Sequence, residues 1–210
     1  MKFKKVIVLA PHTDDGEIGA GGYIAKLIEE GAEVHYLAFS AAEDSVPKDF
    51  ERDVLRKEVL EATSCLGISE NHVTVLDYSV RKLEYRRQDV LEDLIKVRKS
   101  NNYDLVLVPN SQDIHQDHRT VHEEALRAFK GTSVFGYELL WNNFSVQHDI
   151  FVGLSTEHLE KKINALKCYH SQFGRSYVNE KFVRSLATVR GTQVGFELAE
   201  CFEAIRLVMR

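Results

Sequence analysis

The chain is poor in residues that staple, hinge or span. Its three cysteines, Cys65, Cys168 and Cys201, lie far apart and form no C-x-x-C pair. An odd, scattered set argues against a disulfide framework or a thiolate zinc site and suits a reducing cytosol. Three prolines in 210 residues argue against a proline-rich interdomain hinge. No apolar run approaches the roughly 20 residues of a membrane span. The run from Val6 to Ala10, behind the basic Met1-Lys2-Phe3-Lys4-Lys5, is too short for a signal peptide and reads as a strand. Basic stretches such as Arg81-Lys82 and Arg86-Arg87 are also short, and the net charge is -5, so nucleic acid and membrane surfaces are poor partners. With 44% hydrophobic and 28% charged residues, the expectation is a soluble cytoplasmic protein whose residues 1–210 form one domain.

What is present begins with alternation. Residues 4–10, Val34 to Phe39, Val73 to Leu76 and Tyr103 to Pro109 read as strands. Between and after them, residues 17–30, 49–66, 87–99 and 119–129 carry apolar residues at helical spacing, with Gly31 and Gly67 as stops. This βα rhythm predicts an α/β fold with a mostly parallel sheet covered on both faces. After about residue 131 the rhythm loosens. Val134 to Glu138 and Asp149 to Leu154 read as further strands, and Ser155 or Thr156 caps a helix reaching Cys168. Phe196 to Met209 is apolar but ambiguous between helix and strand.

Two clusters carry the chemistry: Pro11-His12-Thr13-Asp14-Asp15-Gly16-Glu17 and His115-Gln116-Asp117-His118. Each follows a strand-like run, so a parallel sheet would bring both to strand carboxyl ends, where open α/β sheets form their crevice. Histidines and carboxylates there suit a divalent metal, with a carboxylate left over as a base. Asp14 and Asp15 cannot both point the same way from an extended turn, so one faces a metal and its neighbour faces water or substrate. Asp117, between two imidazoles, suits a carboxylate that fixes a tautomer. Gly16, Gly19, Gly21 and Gly22 let the following helix pack closely on the sheet. They read G-x-x-G-x-G-G, not the dinucleotide G-x-G-x-x-G, and an acidic pair there would repel a pyrophosphate. His122 reads as a helix-surface residue. His35, His72, His148, His158 and His170 stand alone, with His170 drawing interest beside Ser171-Gln172.

At these residues the chain resembles the LmbE-like (PIG-L) deacetylases, whose motifs are P-H-P-D-D-x-E and H-x-D-H. Similarity continues through Ile18 to Gly22, Glu58 to Gly67, Lys162 to Leu166, Ser171-Gln172 and Glu200 to Glu203. The resemblance implies a Rossmann-like three-layer sandwich with the metal site at the carboxyl ends of the strands. It implies a zinc-dependent hydrolase that removes an acetyl group from an N-acetylamino sugar or its conjugate. His12, Asp15 and His118 would be the metal ligands, and Asp14 the general base on the metal-activated water. His115 would assist the tetrahedral intermediate or protonate the leaving amine, and Asp117 would orient a histidine. Arg56 would contact substrate. The donor set would also take ferrous iron or another divalent ion.

Two departures stand out. Thr13 replaces the second proline of the first motif, which loosens the turn. Asp113 stands where some members carry an oxyanion-stabilising tyrosine, so it is expected at the pocket rim, binding sugar hydroxyls or a cationic group. Residues 1–130 would form the regular core and 131–210 would shape the pocket, with Tyr137, Trp141, Phe144, Tyr169, Phe173 and Tyr177 as candidate stacking surfaces. The partner is a small amino-sugar molecule, and a homo-oligomer is compatible with the sequence. Alternatives are hydrolysis of another amide or an ester, and a non-catalytic Rossmann-like binding module.

Overall fold

An unbroken apolar run in the first strand dictates the layers. The fold is described from a computed structural model, which covers residues 2–209. In β1 (Lys5–His12), Val6, Val8 and Ala10 face one core while Ile7 and Leu9 face another. A strand buried on both sides must be covered on both sides. The first core takes apolar residues from α1 (Asp15–Glu29), α2 (Val54–Leu66), α5 (Thr156–Lys167) and α6 (Glu180–Val194). The second takes them from α3 (Arg87–Ser100) and α4 (Gln116–Ala128). The result is a three-layer α/β sandwich, as the rhythm of the sequence predicts.

The remaining strands are β2 (Glu33–Ser40), β3 (Val73–Val75), β4 (Leu105–Pro109), β5 (Ser133–Tyr137), β6 (Ile150–Gly153) and β7 (Ala199–Arg206). The sheet order is β3-β2-β1-β4-β5-β7-β6. The first five strands pair in parallel, and β7 runs antiparallel to both β5 and β6. Strand order reverses between β1 and β4. Their following loops therefore depart to opposite faces and leave a crevice at the carboxyl ends, the usual ligand site of such sheets.

Several elements differ from the sequence expectation. Within the segment 196–209, Ala199–Arg206 forms strand β7, and α2 begins at Val54 instead of residue 49. Helix α4 begins at Gln116, three residues early, which places the second motif in a helical first turn. Helix α6 has no counterpart in the sequence reading. It carries Val183, Thr188, Val189, Thr192 and Val194 together with Gly191, all weak helix formers. Of the two candidate caps of α5, Ser155 is the one used; it accepts from His158 N–H. No helix among the described residues is long and apolar enough to cross a membrane.

The glycines of α1 do set its approach to the sheet. A Cβ at Gly19 would stand 2.3 Å from Cδ2 of Tyr137, which is fully buried and donates to the Leu9 carbonyl. In an exposed helix, alanine would gain about 1 kcal/mol over glycine. Here overpacking reverses the sign, at a cost of about 1–3 kcal/mol. Gly19→Ala is therefore expected to lower Tm by roughly 3–10 °C in a thermal melt; a raised Tm would refute the packing account.

Candidate metal centre

Two loops meet at the crevice. The first leaves β1 at His12 and re-enters helix at Asp15; the second runs from Pro109 to the start of α4. His115 caps α4, its Nδ1 accepting the Asp117 N–H at 3.1 Å. Asp113 accepts the His115 N–H at 2.8 Å, a local turn that aims the cap.

Three donor atoms converge. His12 Nδ1 lies 3.1 Å from Asp15 Oδ2, His118 Nε2 lies 3.3 Å from the same oxygen, and the two nitrogens are 3.3 Å apart. Tetrahedral ligands at about 2.0–2.1 Å from a zinc ion stand about 3.3 Å from one another. The triangle fits that edge. His115 joins the two other histidines in a group whose ligand atoms lie within 4.8 Å of each other, its ring stacked on His118 at 4.4 Å.

Each ligand-type imidazole has a carboxylate behind it. Asp117 accepts from His12 Nε2 at 2.9 Å, which fixes a proton there, so Nδ1 is the nitrogen that offers a lone pair when the ring is neutral. Asp113 accepts from His118 Nδ1 at 2.7 Å and frees Nε2 in the same way. Buried carboxylates that fix tautomers are the usual support of metal-ligating histidines. Neither residue reaches the rim. Asp113 is 2% exposed, which corrects the expectation that it meets substrate: its carboxylate is consumed by His118 and the His115 backbone.

Electrostatics divides the groups. Burial opposes charge on His12, but its hydrogen bonds to Asp117 and Asp15 outweigh it and raise its pKa to about 8. For His118, burial is likewise overcome, by the charges of Asp15 and Asp113, and the value rises to about 10. Asp15 is held ionised: the His118 charge and its hydrogen bond override burial and depress its pKa. Burial and repulsion by Asp15 push Asp14 up to about 6. His115 goes down to about 4 through burial and the neighbouring His118 and His12, so it is neutral near pH 7. With Nδ1 accepting from Asp117, its proton resides on Nε2.

A cavity of about 160 Å³ opens over these groups. Asp14 lines it and, although it stands at the N-cap of α1, its side chain makes no capping bond. Trp141 and Tyr177 line it too, stacked at 3.8 Å, and so do Arg81 and Arg175. Among the other aromatic candidates, Tyr137 and Tyr169 are buried while Phe144 and Phe173 point to solvent. Arg56 is not brought to the cavity. Glu43 and Asp77 hold its guanidinium, at 2.9 and 2.5 Å. His122 is no surface residue: it is buried, with Nδ1 donating to the Pro109 carbonyl. His170 is exposed and packs on Phe173.

The sequence reading missed the cavity arginines and the support beneath the first motif. Glu17 is fully buried, bonded to the hydroxyls of Tyr36 and Tyr169, which also contact the Thr13 carbonyl. Burial, opposed by both tyrosines, raises its pKa to about 8. The signal for the arginines was faint, since Arg81 lies in a short basic pair and Arg175 in an irregular segment.

The chain is similar to proteins named as deacetylases. Diacetylchitobiose deacetylase of Thermococcus kodakarensis is 28% identical over 221 residues, covering 94% of this chain and 81% of its own. The solved N,N'-diacetylchitobiose deacetylase from Pyrococcus horikoshii superposes with a TM-score of 0.76 at 25% identity, over 96% of this chain and 83% of that one. GalB, a 4-carboxy-2-hydroxymuconate hydratase from Pseuodomonas putida, superposes at 0.80 with 20% identity, over 99% and 98% of the two chains, so the fold by itself does not fix the reaction. The family model PIG-L: GlcNAc-PI de-N-acetylase matches residues 7–129, more than half of the chain and inclusive of both motifs; the protein belongs to the PIG-L family of deacetylases.

Proposed function

We propose that the protein is a metal-dependent hydrolase that removes the acetyl group from an N-acetylated amino sugar. The observation that carries this reading is the triangle of His12, Asp15 and His118 with Asp14 uncapped beside it and a neutral His115 on its flank. The donor set fits zinc, and nitrogen-oxygen ligation also admits ferrous iron. A bound divalent ion supplies a Lewis acid that polarises the acyl carbonyl and acidifies water.

The chain's own residues do the rest. Asp14, free of capping duty and with a pKa near 6, takes the proton from the attacking water as its oxygen bonds to the carbonyl carbon. His115, neutral, donates a hydrogen bond from Nε2 to the carbonyl oxygen as charge develops there, and Asp14 passes the proton it took from water to the nitrogen as the C–N bond breaks. Acetate and a free amine result. Asp117 and Asp113 never meet substrate; they hold two imidazoles in the tautomers that expose lone pairs. The amino-sugar class rests on the diacetylchitobiose deacetylases.

Acetate release from N,N'-diacetylchitobiose by zinc-loaded protein tests the activity. Asp14→Asn is expected to lower kcat by roughly 10²–10⁴-fold while leaving bound zinc unchanged in elemental analysis. Wild-type turnover in that variant would remove Asp14 from the chemistry. Asp113→Ala is expected to weaken zinc binding by roughly 10–100-fold, with partial recovery in Asp113→Asn.

Zinc binding must also displace protons, because His12 and His118 have raised values of about 8 and about 10. Both groups hold protons below those values and release them above, so apparent affinity should increase as pH rises from 6 to 9. Calorimetry in buffers of different ionisation enthalpy reads the released protons directly. An affinity flat over that range would contradict the assignment.

A further inference from the structure

The three cysteines are scattered in sequence, but the fold brings two of them together. Cys65 lies in the last turn of α2, and Cys168 is the C-cap of α5. Their sulfurs stand 3.7 Å apart, in contact where the two helices meet. A disulfide bond is about 2.05 Å long, so the gap to close is about 1.7 Å, shared between two side chains. Cys201 is buried in β7 and takes no part.

Access divides the pair. Cys65 is exposed and Cys168 is half-buried. Burial and the adjacent Cys65 push the Cys168 thiol up, to about 12, so it stays protonated near pH 7. Its hydrogen is directed to the Asn164 carbonyl at 3.4 Å. In thiol–disulfide exchange the attacking sulfur must be reachable, and the resolving sulfur must be close to it. Cys65 meets the first condition and Cys168 the second.

Placement gives the bond a mechanical consequence. Cys168 opens the stretch that walls the cavity: Tyr169 bonds the Thr13 carbonyl and Glu17, and Gln172, Arg175 and Tyr177 line the cavity itself. Helix α2 already holds this stretch at one point. There Glu58 accepts the Ser171 N–H at 2.8 Å and the Ser171 hydroxyl at 2.6 Å. Cys65 follows Glu58 by about two helical turns and shares its face of α2. A bond from Cys65 to Cys168 would hold the same stretch a second time, at its root. Exposed disulfides are the labile, regulatory kind.

We infer that Cys65 and Cys168 form a redox modification site, a dithiol that a low-molecular-weight disulfide such as oxidised glutathione converts to an intramolecular bond. The Cys65 thiolate attacks one sulfur of the oxidant and expels a thiolate, leaving a mixed disulfide. That step removes the charge of Cys65 from beside Cys168. Cys168 then gives up its proton and attacks the Cys65 sulfur, and the second small thiol leaves. The protein loses two protons and two electrons, and the oxidant gains them as two thiols.

Protein equilibrated with oxidised and reduced glutathione in varied ratio, then alkylated and digested, tests the pairing by mass spectrometry. The expected product is a cross-link between the Cys65 and Cys168 peptides, reversed by dithiothreitol, with Cys201 still a thiol. In Cys168→Ser, glutathione should remain on Cys65. In Cys65→Ser, neither adduct nor cross-link should accumulate. Wild-type protein that keeps glutathione on Cys65, or that links two chains through it, overturns the inference. So does full retention of both thiols in oxidised glutathione alone.

The bond would join residues 103 positions apart, so oxidation should raise Tm by roughly 5–15 °C in the wild type and leave either serine variant nearly unchanged. An unchanged or lowered Tm in cross-linked protein would show the bond distorting the α2–α5 junction, and the site would fall. Slower amide exchange across residues 169–178 in the oxidised form supports the second hold on the cavity wall; equal exchange in both forms overturns it. None of these readouts requires turnover, so they stand apart from the deacetylase reading.

Discussion

The site depends on one buried carboxylate. Asp117 is fully buried, and its oxygens accept from His12 Nε2, the Arg81 N–H and, at 3.1 Å, the Leu83 N–H. Those partners come from the end of β1 and from the segment ahead of α3, while Asp117 itself belongs to α4. An ionised carboxylate out of water is tolerated only when its lone pairs are used. Satisfying this one draws three separate stretches of chain to one point. The same demand explains why the metal-type ligands can be preorganised: His12 cannot turn its ring without losing its bond to Asp117.

Proximity of like charges is the second consequence. Asp14, Asp15, Asp113 and Asp117 occupy one small region with three imidazoles, and the groups settle by dividing roles. Asp15 stays ionised between two imidazoles, whereas Asp14, farther from them and repelled by Asp15, rises to about 6. Adjacent residues of identical type thereby acquire different chemistry from position alone. A divalent cation held at the triangle would take the place of the protons on His12 and His118 in balancing this charge.

Much of this was legible in the sequence, and the legible parts share a cause. Parallel strands buried on both faces must be runs of apolar residues, so β1 and β4 announce themselves, and whatever follows them must line the crevice. That reasoning brings His12, Asp14, Asp15, His115 and His118 together without coordinates. It fails where position depends on a distant partner. Asp113 follows a strand by four residues and so resembles a rim residue, but only the fold reveals His118 Nδ1 at 2.7 Å drawing it inward. Arg56 lies on the face of α2 nearest Glu43 and Asp77, a pairing that local spacing cannot foresee. Arg81 owes its place to a backbone bond with a residue 36 positions away. Helix α6 is hidden for a different reason, since its β-branched residues favour it only through packing.

The Thr13 departure finds its answer beneath the turn. The Tyr36 and Tyr169 hydroxyls both reach the Thr13 carbonyl, and each also meets one oxygen of Glu17. Burial disfavours a charge on Glu17 and raises its pKa to about 8, so the acid is mostly neutral near pH 7. The turn that carries His12, Asp14 and Asp15 is therefore clamped at the Thr13 carbonyl from beneath, by two phenols and a neutral acid. A proline at position 13 would stiffen the same turn through its own ring; here the stiffness comes from the core, through groups that Tyr36 of β2 and Tyr169 beyond α5 bring from opposite ends of the chain.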